Sequence, residues 1–343
     1  MIVKEVSMEI EGEEFIINIF GNGKYAYFTE EHYNYFKNYT LKFIEKINSN
    51  SNYNKKFKFI YEDSISINGN AFSDDYLDRI IISRGIIEKS YSFFYNFLTA
   101  FPDLINFKKD NPNLGIKYKI SEGLGCVEYD VNIHIPKDKK QCIDAELMSM
   151  VAVTFCIFHE IGHIYNGHVG YLNEIKKNSS DLSDLERLTI EMDADAFAIS
   201  RIIDEILLKK ITDGSNDIYK LVQIISYGLM GLILLIYDEN GDLELFDKKQ
   251  LALGYRLGNA LECIEANIDR IGLSFFLDKS KLREKIYSSY KVGKFYSMLY
   301  GKTIEEFVSL INKGSKDIEG DIKSTWKKLR NNLSKYSIFE LAP

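Results

Sequence analysis

Leu147-Met148-Ser149-Met150-Val151-Ala152-Val153-Thr154-Phe155-Cys156-Ile157-Phe158-His159-Glu160-Ile161-Gly162-His163 is the stretch on which the reading of this 343-residue chain turns. From Leu147 to Phe158 it carries no charge and no Gly or Pro. Such a run is too long for a typical strand and apolar on every face, so it predicts a buried helix. The apolar run then ends in a His, a Glu and a second His within five residues. Residues four apart share one face of a helix, so His159 and His163 point the same way and can grip one ion. Glu160, beside the first His, can reach a water bound to that ion. The pattern is H-E-x-x-H, found on the helix that it requires, and the ion it points to is zinc. Buried polar side chains need partners, and a bound cation is one.

Two imidazoles do not complete a catalytic zinc site, which takes three protein ligands and keeps one position for water. The third candidate lies downstream, in Glu191-Met192-Asp193-Ala194-Asp195. Ser183-Asp184-Leu185-Glu186 reads as a capping box that starts a helix there. Leu185, Leu188, Met192, Ile199 and Ile203 give that helix an apolar face. Glu191 lies two turns in and can face the zinc. Asp195, one turn further on the same side, can reach a ligand histidine from behind, because a metal-bound His usually donates its other ring N–H to a carboxylate.

Taken together, these residues resemble the gluzincin metallopeptidases. His159-Glu160-Ile161-Gly162-His163 with His168 five residues on, followed by Glu191-x-Asp193-Ala194-Asp195, is similar to the CaaX-processing and heat-shock membrane proteases and to their small soluble relatives. The resemblance covers roughly residues 145–205. It implies a zincin-like fold, zinc ligands His159, His163 and Glu191, Glu160 as general base, and Asp195 behind a ligand. It also implies that an edge strand just ahead of the motif helix pairs with the substrate backbone. A second resemblance, to the bacterial phage-exclusion peptidases, rests on layout: the motif lies near residue 160 with no secretion signal ahead of it. A metzincin would need a His six residues after His163, where this chain has Val169.

Composition sets the outer bounds. Hydrophobic residues make up 45% and charged residues 27%, as in a globular protein large enough for two domains. A net charge of −7 spread along the chain argues against nucleic acid as a partner. Cys126, Cys142, Cys156 and Cys263 form no C-x-x-C pair, and scattered free thiols suit a reducing compartment. Met1-Ile2-Val3-Lys4-Glu5-Val6 lacks the apolar core of a signal peptide, so a cytoplasmic location is expected.

The rest of the chain yields coarser expectations. Residues 1–20 read as a hairpin and 57–61 as a strand. Helices are expected over 31–48 and from Asp74 to Phe101. Cys126 to Ile135 alternates apolar and polar and reads as a half-buried strand, with His134 on its polar face and Pro136 at its end. Residues 168–182 read as a loop with His168 at the surface. The apolar segment from Asp217 to Tyr237 falls short of the ~20 uninterrupted apolar residues that a bilayer needs, and reads as a core helix. Further helices are expected over 248–267, 279–299, 303–312 and 319–335.

The expected fold is therefore α+β and predominantly helical, with a small, mostly antiparallel N-terminal sheet. Its parts are an N-terminal region 1–125, a zincin core 126–210 and a helical region 211–343. The cleft is expected between the 126–135 strand, the motif helix and the Glu191 helix. Tyr227, Tyr255, Arg256 and His168 are candidates for stabilising charge on the substrate carbonyl. The expected function is zinc-dependent hydrolysis of a peptide or protein substrate. A zinc-binding regulatory or defence protein with narrow proteolysis, and a non-enzymatic helical binding module, are the alternatives. Substrate and oligomeric state have no signature in the sequence.

Overall fold

A computed structural model describes residues 4–10, 13–20, 24–25, 30–49, 55–100, 115–122, 127–134, 136, 138–208, 211, 217–239, 246–300 and 319–341. The motif stretch becomes α3, Lys139–Tyr165, and the fold is assembled around it. The helix starts two turns earlier than its apolar run. Asp138 caps it, its side chain accepting from the Lys140 N–H. From Val151 to Gly162 every residue is buried, as a helix apolar on all sides demands.

Four elements wrap α3. α2, Arg84–Ala100, brings Ile86, Ile87, Phe94 and Phe97 to the core. The expected helix from Asp74 is in fact strand then helix, because the β-branched run Ile80-Ile81-Ile82 prefers a pleated surface. α5, Asp184–Ile202, starts at the predicted capping box: Ser183 accepts from the Glu186 N–H and Glu186 accepts from the Ser183 N–H at 2.8 Å. Its buried face is Ile190, Ala194, Ala198, Ile199 and Ile202; Leu185, Leu188 and Met192 are only half-buried, so the stripe is rotated from the expected one. α6, Ile218–Glu239, is the second very apolar helix. It closes on α3 through Gly228, where a Cβ would stand 2.8 Å from the Met148 carbonyl oxygen. α3 and α6 are both long and apolar enough to cross a membrane, and 83% of each such window is buried inside the protein.

The fourth element is a three-stranded sheet of β4 (Lys56–Glu62), β5 (Gly69–Ser73) and β6 (Leu77–Ser83), ordered β4-β6-β5. It is mixed, where an antiparallel sheet was expected: β6 pairs parallel with β4 and antiparallel with β5. The chain leaves β4, skips one strand position, runs out along β5 and returns between the two. Asp74 makes that return tight by accepting from the Tyr76 and Leu77 N–H groups. Among the described residues β5 is consequently an edge strand, and it lies along α3.

Antiparallel pairing occurs elsewhere. β1 (Lys4–Ile10) pairs with β2 (Glu13–Phe20), as the hairpin reading expected, and β2 with β3 (Lys24–Tyr25). β7 (Gly115–Glu122) pairs with β8 (Val127–His134), and β8 packs on α2. The burial pattern expected for β8, His134 included, lies outside the described side chains. α1, Glu30–Ser49, forms as expected. The 168–182 loop is instead mostly helix, α4, His168–Lys177. Its charged tail hid an apolar row of Val169, Leu172 and Ile175, which packs inward. α7 (Phe246–Arg270), α8 (Lys279–Tyr287), α9 (Tyr290–Tyr300) and α10 (Glu319–Leu333) follow; the expected helix at 303–312 lies outside the described residues.

Candidate metal centre

His159 and His163 leave the last turns of α3 on one face, with their Nε2 atoms 3.0 Å apart. α5 crosses that face and delivers Glu191. Its carboxylate oxygens stand 3.4 Å from His159 Nε2 and 3.6 Å from His163 Nε2. Four-coordinate tetrahedral zinc, with bonds of about 2.0–2.2 Å to N and O, keeps its ligand atoms roughly 3.3 Å apart. The imidazole pair, and each imidazole with its own nearer Glu191 oxygen (Oε2 for His159, Oε1 for His163), lie close to that value. The donor chemistry also fits, since imidazole nitrogens and a carboxylate suit zinc.

The backing of the ligands supports the same fit. His159 Nδ1 lies 2.8 Å from Asp195 Oδ1. A neutral His159 holding its proton on that side turns a bare Nε2 lone pair toward a second ring nitrogen and a carboxylate. Three acceptors facing one point repel one another unless a cation stands between them. Burial pushes His159 toward the neutral form, but hydrogen bonds to Asp195 and Glu191 outweigh it and lift its pKa to about 10. Burial likewise opposes ionisation of Glu191, yet the His159 hydrogen bond and the nearby His163 and Arg256 hold its carboxyl well below the usual range. The group as a whole favours positive charge at its centre.

Asp195, fully buried one turn beyond Glu191, bridges two groups. On its other side Arg256 of α7 donates two hydrogen bonds, Nε to Oδ2 at 2.8 Å and Nη2 to Oδ1 at 2.9 Å. Burial raises the Asp195 pKa, but Arg256 and His159 reverse this and keep it ionised. The remaining guanidinium nitrogen, Nη1, stands 3.5 Å from Glu191 Oε2. Arg256 thus ties α7 to Asp195 and Glu191 of α5.

A cleft of about 430 Å³ opens over this group. Its wall includes Ile67, Ile86, Phe155, Glu160, Glu191 and Arg256. Glu160 is buried at the base, and burial pushes its carboxyl up to about 7. The strand bordering the cleft among the described side chains is β5, whereas the sequence reading had the 126–135 strand there. Gly69 shows how closely it approaches: a Cβ at that position would stand 2.5 Å from Glu160 Oε1.

The other candidates fall elsewhere. His168 is fully buried, where a surface position or a contact with substrate was expected. Gly167, at φ 82°, breaks the helix and folds His168 back behind His163, so it cannot touch a substrate. Tyr227 is also fully buried, packed against Phe97, with its hydroxyl accepting from Gln223; it belongs to the core. The Tyr255 side chain lies outside the described residues. Sequence reasoning missed Gly69 and Asp193. A glycine at the head of a short strand-prone run was the available signal for the first, and the D in Glu191-x-Asp193 for the second.

A family model described as Peptidase U49 matches residues 119–269, a span that holds the motif helix, the Glu191 helix and Arg256. The match supports a protease, and with it a protein substrate. No curated protein and no solved structure matches the chain significantly.

Proposed function

We propose that the chain is a zinc-dependent metallopeptidase of the gluzincin type, acting on a protein substrate inside the cell. One observation carries the reading: His159, His163 and Glu191 converge beside a buried carboxylate at the floor of an open cleft. The match to a peptidase family over the same residues supports it.

His159, His163 and Glu191 would hold the ion, with Asp195 and Arg256 fixing the His159 ring and the Glu191 carboxylate from behind. Zinc, when bound, supplies a Lewis acid that polarises the scissile carbonyl and acidifies water. Glu160 accepts the proton of the attacking water and hands it to the departing amine. A carboxyl raised to about 7 by burial is matched to that exchange near neutral pH. Arg256, with Nη1 beside the Glu191 carboxylate at the cleft wall, is the candidate to bind a substrate carbonyl oxygen. The substrate chain would extend along β5. That strand pairs only with β6 among the described residues, which leaves an edge able to capture an extended peptide by main-chain bonds.

Glu160→Gln tests the reading. The variant should bind zinc like the wild type and release no new protein termini in cells expressing it, while the wild type does. Equal termini from both would refute hydrolysis by this site. A wild-type protein without stoichiometric zinc would leave the non-enzymatic alternative standing.

A further inference from the structure

The two ligand imidazoles are backed in different ways. His159 has a carboxylate directly behind it. His163 has another imidazole: its Nδ1 lies 3.0 Å from Nδ1 of His168. His168 Nε2 in turn lies 3.0 Å from Asp193 Oδ2, and Asn166 Nδ2 donates to the same oxygen at 2.6 Å. Only one proton arrangement satisfies every member. A histidine that binds an ion through Nε2 is neutral and keeps its proton on Nδ1. The His163 proton therefore points at His168 Nδ1, which must accept it. His168 then carries its own proton on Nε2, where the Asp193 carboxylate receives it.

We propose that His168 is a positioning residue for the metal centre, holding His163 in the tautomer and ring orientation that present Nε2 to the ion. Asp193 and Asn166 hold His168 in the complementary tautomer. The backbone explains why this partner can come from five residues away. In an unbroken helix His168 would point to a different side from His163, but the left-handed Gly167 ends α3 and starts α4 in a new direction. The inference rests on the zinc reading above. It assigns His168 no contact with substrate.

The test is zinc affinity, measured by competition with a chromogenic chelator on the full-length protein, alongside melting of the metal-free form. His168→Leu keeps the bulk and removes the acceptor; zinc binding should weaken roughly 10–100-fold, the range for loss of such a partner. His168→Asn places an amide oxygen near the lost Nδ1 and should recover most of the affinity. A purely structural role predicts that both variants change melting and neither changes affinity. Wild-type affinity in a folded His168→Leu protein, or no advantage of Asn over Leu, overturns the inference. If His168→Leu fails to fold, Asp193→Asn decides: weakened zinc binding supports the relay and unchanged binding overturns it. A wild-type protein that binds no zinc removes the metal-site reading and this inference together, an outcome distinct from tight binding by wild type and variant alike.

Discussion

Gly69 and Glu160 show what a single side chain can decide at this site. The missing Cβ of Gly69 is space that the Glu160 carboxylate occupies, and the atoms in conflict on adding one are the far end of a flexible side chain. Gly69→Ala should therefore leave the fold intact and displace the proposed base. Activity is expected to fall on the order of 100-fold, at the low end of what a positioned general base contributes, with melting nearly unchanged. Normal turnover by the Ala variant would remove Glu160 from the reaction as drawn. Asp195 makes the second argument at this scale. It is fully buried between an imidazole and a guanidinium, so Asp195→Asn should weaken zinc binding roughly 10–100-fold by loosening His159. Chelator competition reads this directly, and unchanged affinity would mean that the pair serves packing alone.

At the scale of elements, the site depends on how closely α6 and α5 press on α3. Gly228→Ala would drive a methyl toward the Met148 carbonyl and the Val151 side chain, both on rigid α3. Overpacking of this kind typically costs about 1–3 kcal/mol, readable as a lower denaturation midpoint; an unchanged midpoint would show that the helices can part. The same closeness explains what the sequence could and could not convey. His159, Glu160 and His163 were legible because helix geometry alone sets their relation, and Glu191 with Asp195 because one further helix has the same periodicity. Arg256 was legible only as a candidate, since its bonds to Asp195 span 61 residues of chain. The place of β5 was invisible: its short run carries a local signal, but nothing local says that it returns beside α3. The Ile80-Ile81-Ile82 run fits helix or strand until its partner β4 is known, and α4 was lost because its basic end outweighed a short apolar row.

In the whole molecule, the candidate metal centre joins α3, α5 and α7 at one point, and without an ion that point is expected to hold a proton. The chief holder is His159, raised to about 10 by Asp195 and Glu191 against the opposing effect of burial. Burial holds His163 well below its usual value, so it contributes none near neutrality. Zinc must then displace one proton to bind at pH 7. The sign follows: acid favours the proton, so affinity falls as pH falls, by about tenfold per unit for one proton released. Zinc titrations at pH 6.5 and 7.5 should differ by that factor, and His159→Ala should abolish both the binding and its pH dependence. A Kd independent of pH over this interval would show that the metal-free site is already deprotonated, and that the carboxylates behind His159 do not hold charge at its centre.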